Sequence, residues 1–80
     1  YNESRGHLVE AKGSIWRPDV RMAIGQLLDY SRLEGGAHSL GLLLPEQPAP
    51  DVVDLLDGLH IAAIWPTGRG FSDTAGGQFT

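Results

Sequence analysis

The sequence predicts an α/β fold: a mixed sheet flanked by helices, in the order strand, turn, strand, helix, strand, helix, strand. Two observations carry this. Residues 39–44 and 61–65 are continuous apolar runs of strand length. The segments before each of them repeat their apolar residues at helical spacing instead.

The elements follow in chain order. His7-Leu8-Val9-Glu10-Ala11-Lys12 reads as a strand, with Leu8 on one face and Val9 and Ala11 on the other. Glu3-Ser4-Arg5-Gly6 before it reads as a tight turn, so that residue 2 is expected to face residue 7. Gly13 to Pro18 is a loop, and Pro18 and Asp19 suit a helix start. The helix is expected from Asp19 to Leu33. Val20, Ala23, Ile24, Leu27, Leu28 and Ser31 form its inward stripe, and Gly35-Gly36 stops it. After the Ser39–Leu44 strand, Pro45, Pro48 and Pro50 punctuate the chain. Asp51 to Leu56 reads as a short helix closed near Gly58, and Ile61 to Trp65 as the next strand. Strands apolar on both faces imply parallel pairing, with helices covering both sides. Residues 1–65 therefore make the core. Residues 66–80, spaced by glycines around Phe71 and Phe79, read as a loose hairpin or flexible tail.

At 80 residues the chain is one domain at most, too short to bury a large fraction of its surface. It has no cysteine, which excludes disulfides and thiolate metal sites and fits a reducing cytosol. No apolar run approaches a membrane span, and no signal-peptide pattern opens the chain. A cytoplasmic protein with no membrane partner is expected. The net charge of −4 argues against strong autonomous nucleic-acid binding. Local placement softens that point: Lys12, Arg17, Arg21 and Arg32 are gathered in one stretch, away from Asp51, Asp54 and Asp57.

Glu10 and Lys12 are two apart on a strand and share a face, beyond the deeper Leu8. Two charges at the end of an apolar strand must pair, reach solvent or face a cleft. The cleft has a chemical logic. Phosphodiester hydrolysis needs a divalent metal on carboxylates and a cation near the attacking water. Glu10 and the Ala11 carbonyl can hold Mg²⁺, and Lys12 can orient the water or neutralise developing charge. The plain alternative is a solvated strand-end ion pair worth less than about 1 kcal/mol. Gln26 and Tyr30, four apart on the helix, stack beside the apolar stripe. Gln26 offers a donor and an acceptor, and Tyr30 a hydroxyl for a phosphate. Alone, the pair equally describes a helix flank with a wet tyrosine.

Val9-Glu10-Ala11-Lys12 followed by Gln26-Leu27-Leu28-Asp29-Tyr30 resembles the E-x-K and Q-x-x-x-Y motifs of the RecB-like branch of the PD-(D/E)xK nuclease superfamily. The matching stretch covers roughly residues 1–44. The resemblance implies a restriction-endonuclease-like fold and a Mg²⁺-dependent (or Mn²⁺-dependent) DNA endonuclease. It implies Glu10 as metal ligand, Lys12 as catalytic lysine, and Gln26 and Tyr30 as supporting residues. Such domains are often joined to others, so DNA and further domains of a longer chain are the implied partners.

The family pattern also needs an acidic residue on the strand paired with the E-x-K strand, and an N-terminal helix. With the expected turn, that carboxylate belongs one or two residues before Tyr1. Glu3 would sit in the turn, too far away. The chain is thus expected to be an N-terminally truncated fragment, inactive alone. The rival readings are a catalytically inactive nuclease-fold binding or assembly module, and an unrelated small α/β domain with a chance motif.

Other residues carry plainer expectations. Arg21 lies roughly 140° from Gln26 around the helix and reads as solvated. His7, His38 and His60 read as structural or solvent-facing, and Trp16 as a cover for the core edge. Ser14 has no histidine at motif spacing, and Gly68-Arg69-Gly70 lacks the strand-to-helix setting of a phosphate loop.

Overall fold

The fold is known from a computed structural model that describes residues 2–4 (backbone only), 7–33, 35, 39–77 and 79. Its elements are β1 (Asn2–Ser4), β2 (His7–Ala11), α1 (Arg17–Leu33), β3 (Ser39–Leu43), α2 (Pro50–Gly58), β4 (Ile61–Thr67) and β5 (Gly70–Asp73). The five strands lie in sequential order in one mixed sheet. β2, β3 and β4 run parallel, and β1 and β5 are antiparallel edges.

α1 begins two residues before the expected start. The Trp16 carbonyl accepts the Val20 N–H at 3.0 Å, which places Pro18 inside the first turn, where its missing donor costs nothing. Asp19 in the first turn and Arg32 in the last suit the helix dipole. Gly35 at φ 90° ends the helix, its N–H donating to the Arg32 carbonyl. Gly36 lies outside the described residues. Gly25 is exposed mid-helix, with open space where a Cβ would be. Gly25→Ala is therefore expected to stabilise the fold by about 0.5–1 kcal/mol, read by urea unfolding.

The inward stripe is Val20, Ala23, Ile24, Leu27 and Ser31. Leu28, expected with them, is 40% exposed. It sits ~100° from Leu27, at the margin of the buried arc.

The core lies on one face of the sheet. Leu8, Leu42, Leu44, Ile61 and Ala63 pack against the α1 stripe and against Val52 and Leu56 of α2. The strand register puts all five on the same side. Both helices therefore cover one face, which corrects the expectation of helices on both. The reason is topological. Right-handed crossovers that step in one direction, β2 to β3 to β4, leave their helices on the same side.

The opposite face is covered in part by the chain that follows β5. Phe79 lies over Gly41, where a Cβ would meet its ring at 2.9 Å and the Ile64 side chain at 2.8 Å. The ring also contacts His7, at 4.5 Å between centroids. Of the two forms expected for residues 66–80, a loose hairpin or a flexible tail, the described residues take the hairpin, β4–β5, followed by a folded-back turn. The Asp73 carboxylate organises that turn. It accepts the N–H groups of Ala75 and Gly77 at 2.8 Å and of Phe79 at 2.9 Å. Asp73→Ala leaves three donors without this acceptor and releases Phe79 from the sheet. A loss of about 2 kcal/mol and about 10 °C in Tm is expected by thermal unfolding. Among the described residues, no helix is long and apolar enough to cross a membrane.

Candidate functional site at the carboxyl end of the parallel strands

β2 ends at Ala11, and the Lys12 N–H extends its ladder by donating to the Leu43 carbonyl at 2.9 Å. Leu8, Glu10 and Lys12 alternate onto one face, and Leu8 is fully buried there against α1. Glu10 is paired in register with the buried Leu42. Glu10 and Lys12 thus emerge from the helix-covered side of the sheet, both half-buried. The Lys12 ammonium makes no ion pair among the described residues.

α1 runs back over β2 and β3 from this end. Gln26 is exposed and Tyr30 is 38% exposed. Helical spacing puts both on one flank of the stripe, beside Ala23. The same spacing adds Asp19, a half-buried carboxylate in the first turn that the sequence reading used only as a dipole partner. Its distance from Gln26, one heptad, was the signal. The motif residues therefore sit on the strand and on the helix covering that strand's face. Ala11, whose carbonyl was the second expected metal ligand, closes β2 between Glu10 and Lys12. Among the described residues, no three His, Asp or Glu side chains gather into a metal-binding group.

The hairpin differs from expectation. Asn2 pairs with Val9, Glu3 with Leu8 and Ser4 with His7. Asn2 was expected across from His7, so the register is displaced by two residues. The connection is only two residues long, Arg5 and Gly6, which lie outside the described residues, as does Tyr1. The expected pairing of residue 2 with residue 7 would leave positions 4 and 5 between the strands, so the connection is equally short and falls one residue later, which moves the register by two. Glu3 is accordingly a strand residue and not a turn residue. It occupies the β1 position paired with Leu8, two residues further into the sheet than Glu10.

Trp16 is 67% exposed, so it does not cover the core edge as expected. Its N–H donates to the Ser14 hydroxyl at 3.0 Å, which fixes the loop while leaving the indole outside. Arg17 forms an ion pair with Asp51 at the start of α2, and Arg32 pairs with Asp29 at 2.9 Å. Arg21 is exposed. His7 contacts Phe79, His60 is exposed at φ 59°, and His38 lies outside the described residues.

Sequence reasoning missed Phe71. It is 53% exposed on β5, paired with Pro66, and helps line a cleft that also includes Ala11 and Lys12. The hint was that Phe71 and Phe79 are the two large aromatics of a glycine-rich segment. Comparison of the chain with protein-family models, with curated proteins and with solved structures found no match.

Proposed function

We propose that this chain is the C-terminal part of a Mg²⁺-dependent DNA nuclease of the PD-(D/E)xK type, with Glu10 as metal ligand and Lys12 as the cation at the attacking water. The observation that carries the reading is the shared face. Glu10 and Lys12 leave the end of β2 on the side that α1 covers, and α1 bears Gln26 and Tyr30 on one flank. The sheet order supports the restriction-endonuclease-like fold, with an antiparallel β1–β2 hairpin leading into strand-helix-strand units.

In this reading Glu10 and the Ala11 carbonyl hold Mg²⁺ or Mn²⁺, hard cations that prefer oxygen. The metal supplies an activated water and neutralises phosphate charge. Lys12 stabilises the charge that develops on the phosphate, and Gln26 and Tyr30 orient water and phosphate by hydrogen bonds.

The observed register, displaced by two, no longer puts the position one or two residues before Tyr1 across from Glu10. In this reading the partner carboxylate is proposed two residues before Tyr1, which would fall across from Lys12, on the face shared with Glu10, if the pairing continued outward. The chain without that residue is expected to be inactive. The test is DNA cleavage with Mg²⁺ by an N-terminally extended chain. Cleavage that disappears with Glu10→Gln supports the reading. An extended chain with no acidic residue within a few positions of that site, and no cleavage, rejects it. The net charge of −4 favours one second reading, a nuclease-fold binding or assembly module without catalysis. It predicts DNA binding indifferent to Mg²⁺ and to Lys12→Ala.

A further inference from the structure

The sheet face away from the helices is covered over only part of its length. Phe79 lies over Gly41 and against His7, toward the start of the parallel strands. Toward their carboxyl end a cleft of about 340 Å³ opens beside Ala11, Leu43, Pro45, Pro66 and Phe71. The register puts Ala11, Leu43, Pro66 and Phe71 on this one face. Alternation turns the Lys12 side chain to the helix-covered face, so the cleft has no cation of its own. Its walls are apolar and open to water. Ala11, Pro45 and Pro66 are exposed, Leu43 is half-buried and Phe71 is 53% exposed. A contiguous apolar surface with charges at its rim is a contact surface.

The rim chooses the occupant. Arg69 stands at the tip of the β4–β5 hairpin, and Glu46 follows Pro45 beyond the end of β3. Both are exposed, and neither has an ion pair among the described residues. Two unpaired charges of opposite sign thus flank one apolar surface from different strands. An apolar ligand uses neither charge, and a second copy of the chain uses both. Strands of a sheet are evenly spaced, ~4.8 Å apart. A two-fold axis parallel to the strands, midway between β3 and β4, therefore exchanges β5 with β2 and β4 with β3. It sets Phe71 over Ala11 of the second copy and Pro66 over its Leu43. The same rotation carries Arg69 to the end of β3 in the second copy, where Glu46 lies. The surface is self-complementary in shape and in charge, as a two-fold contact requires.

We propose that this face joins two copies of the chain in a weak homodimer, with the Phe71 ring of each packed on Ala11 and Leu43 of the other and Arg69 of each paired with Glu46 of the other. The contact takes in only the uncovered part of one sheet face. That is less than the ~800 Å² per partner of a stable interface, and a net charge of −4 on each copy opposes association. The dimer therefore forms at high protein concentration. The proposal does not rest on the nuclease reading, because Glu10 and Lys12 emerge on the other face.

The test is sedimentation equilibrium of the 80-residue chain from about 10 µM to about 1 mM, at low salt. The average mass is expected to rise toward that of two chains, and Phe71→Asp to remain a monomer throughout. The charge variants need no change in the fold, since both side chains are exposed and unpaired. Arg69→Glu and Glu46→Arg are each expected to weaken association about tenfold. The double variant Arg69→Glu/Glu46→Arg restores the pairing with its signs exchanged, and its affinity is expected to return to within about threefold of the parent. Glu46→Arg is the sharpest of these. It brings the net charge of −4 closer to zero, so association governed by overall charge would strengthen where the proposal expects weakening. A parent that is a monomer at about 1 mM overturns the proposal. So does association that survives Phe71→Asp, tighter association of Glu46→Arg, or a double variant no better than the single ones.

Discussion

Lys12→Ala in an N-terminally extended chain is expected to lower Mg²⁺-dependent DNA cleavage by about a thousandfold, the usual scale for removing a group that stabilises transition-state charge or moves a proton. The fold is expected to tolerate the change. The Lys12 ammonium has no ion pair among the described residues, and what the backbone contributes, the N–H to the Leu43 carbonyl, survives the substitution. Tm should move by no more than a few degrees. That separation is what makes the variant informative, since lost cleavage with an intact fold assigns the effect to chemistry. Lys12→Arg is a useful companion. It keeps the charge but replaces a compact ammonium with a planar fork, so a lysine that orients water should not be rescued by it. Cleavage unchanged in Lys12→Ala, measured under single-turnover conditions, would reject Lys12 as the catalytic cation. Binding that persists in both variants, with no Mg²⁺-dependent cleavage in the parent extended chain, would leave the assembly-module reading standing.

The sequence carried the parallel core well because two of its three strands, β3 and β4, lie in continuous apolar runs and α1 has one clean stripe. Alternation along His7–Lys12 also puts Glu10 and Lys12 on one face, a property of any strand. Three features were not legible, each for a physical reason. The hairpin register depends on which two residues join the strands, and the sequence does not separate positions 4 and 5 from positions 5 and 6, a one-residue difference that moves the register by two. Strands apolar on both faces say that both faces are covered, but not by what. Here two helices share one side, and Phe79 with the turn before it lies on part of the other. Gly41, a glycine in mid-strand, was the available hint of a close approach to the backbone. Finally, β5 and the turn beyond it have no periodic signal, because hydrogen bonds to a single carboxylate, Asp73, hold the turn together. The candidate site inherits this pattern. Its strand half could be placed by alternation alone. The Phe71 cleft could not, since it exists only because β5 pairs back onto β4.

Leu42→Ala is expected to have the largest effect on stability. Leu42 is fully buried on the central strand, paired with Glu10 on β2 and Ala63 on β4, and belongs to the core beneath the helices. Truncating a leucine in such a place removes its transfer energy and leaves a cavity, for about 3 kcal/mol. A domain of 80 residues has a total stability of about 4–12 kcal/mol. The variant should therefore lose about 15 °C in Tm and contain a measurable unfolded fraction at the low end of that range. Leu28→Ala, on the exposed margin of α1, is the control and should cost less than about 1 kcal/mol. Paired urea titrations of the two variants measure the contrast directly. Equal losses would mean that the single helix-covered core is wrong. The consequence for the site follows from the register. Because Leu42 is the neighbour of Glu10, its loss should also loosen the strand end that presents the carboxylate, and under the proposed nuclease reading Mg²⁺ binding in the folded fraction should fall as well. Under the same reading Glu10→Gln should weaken Mg²⁺ binding while leaving the core and its Tm nearly intact. The two variants together separate what holds β2 in place from the metal site proposed at its end.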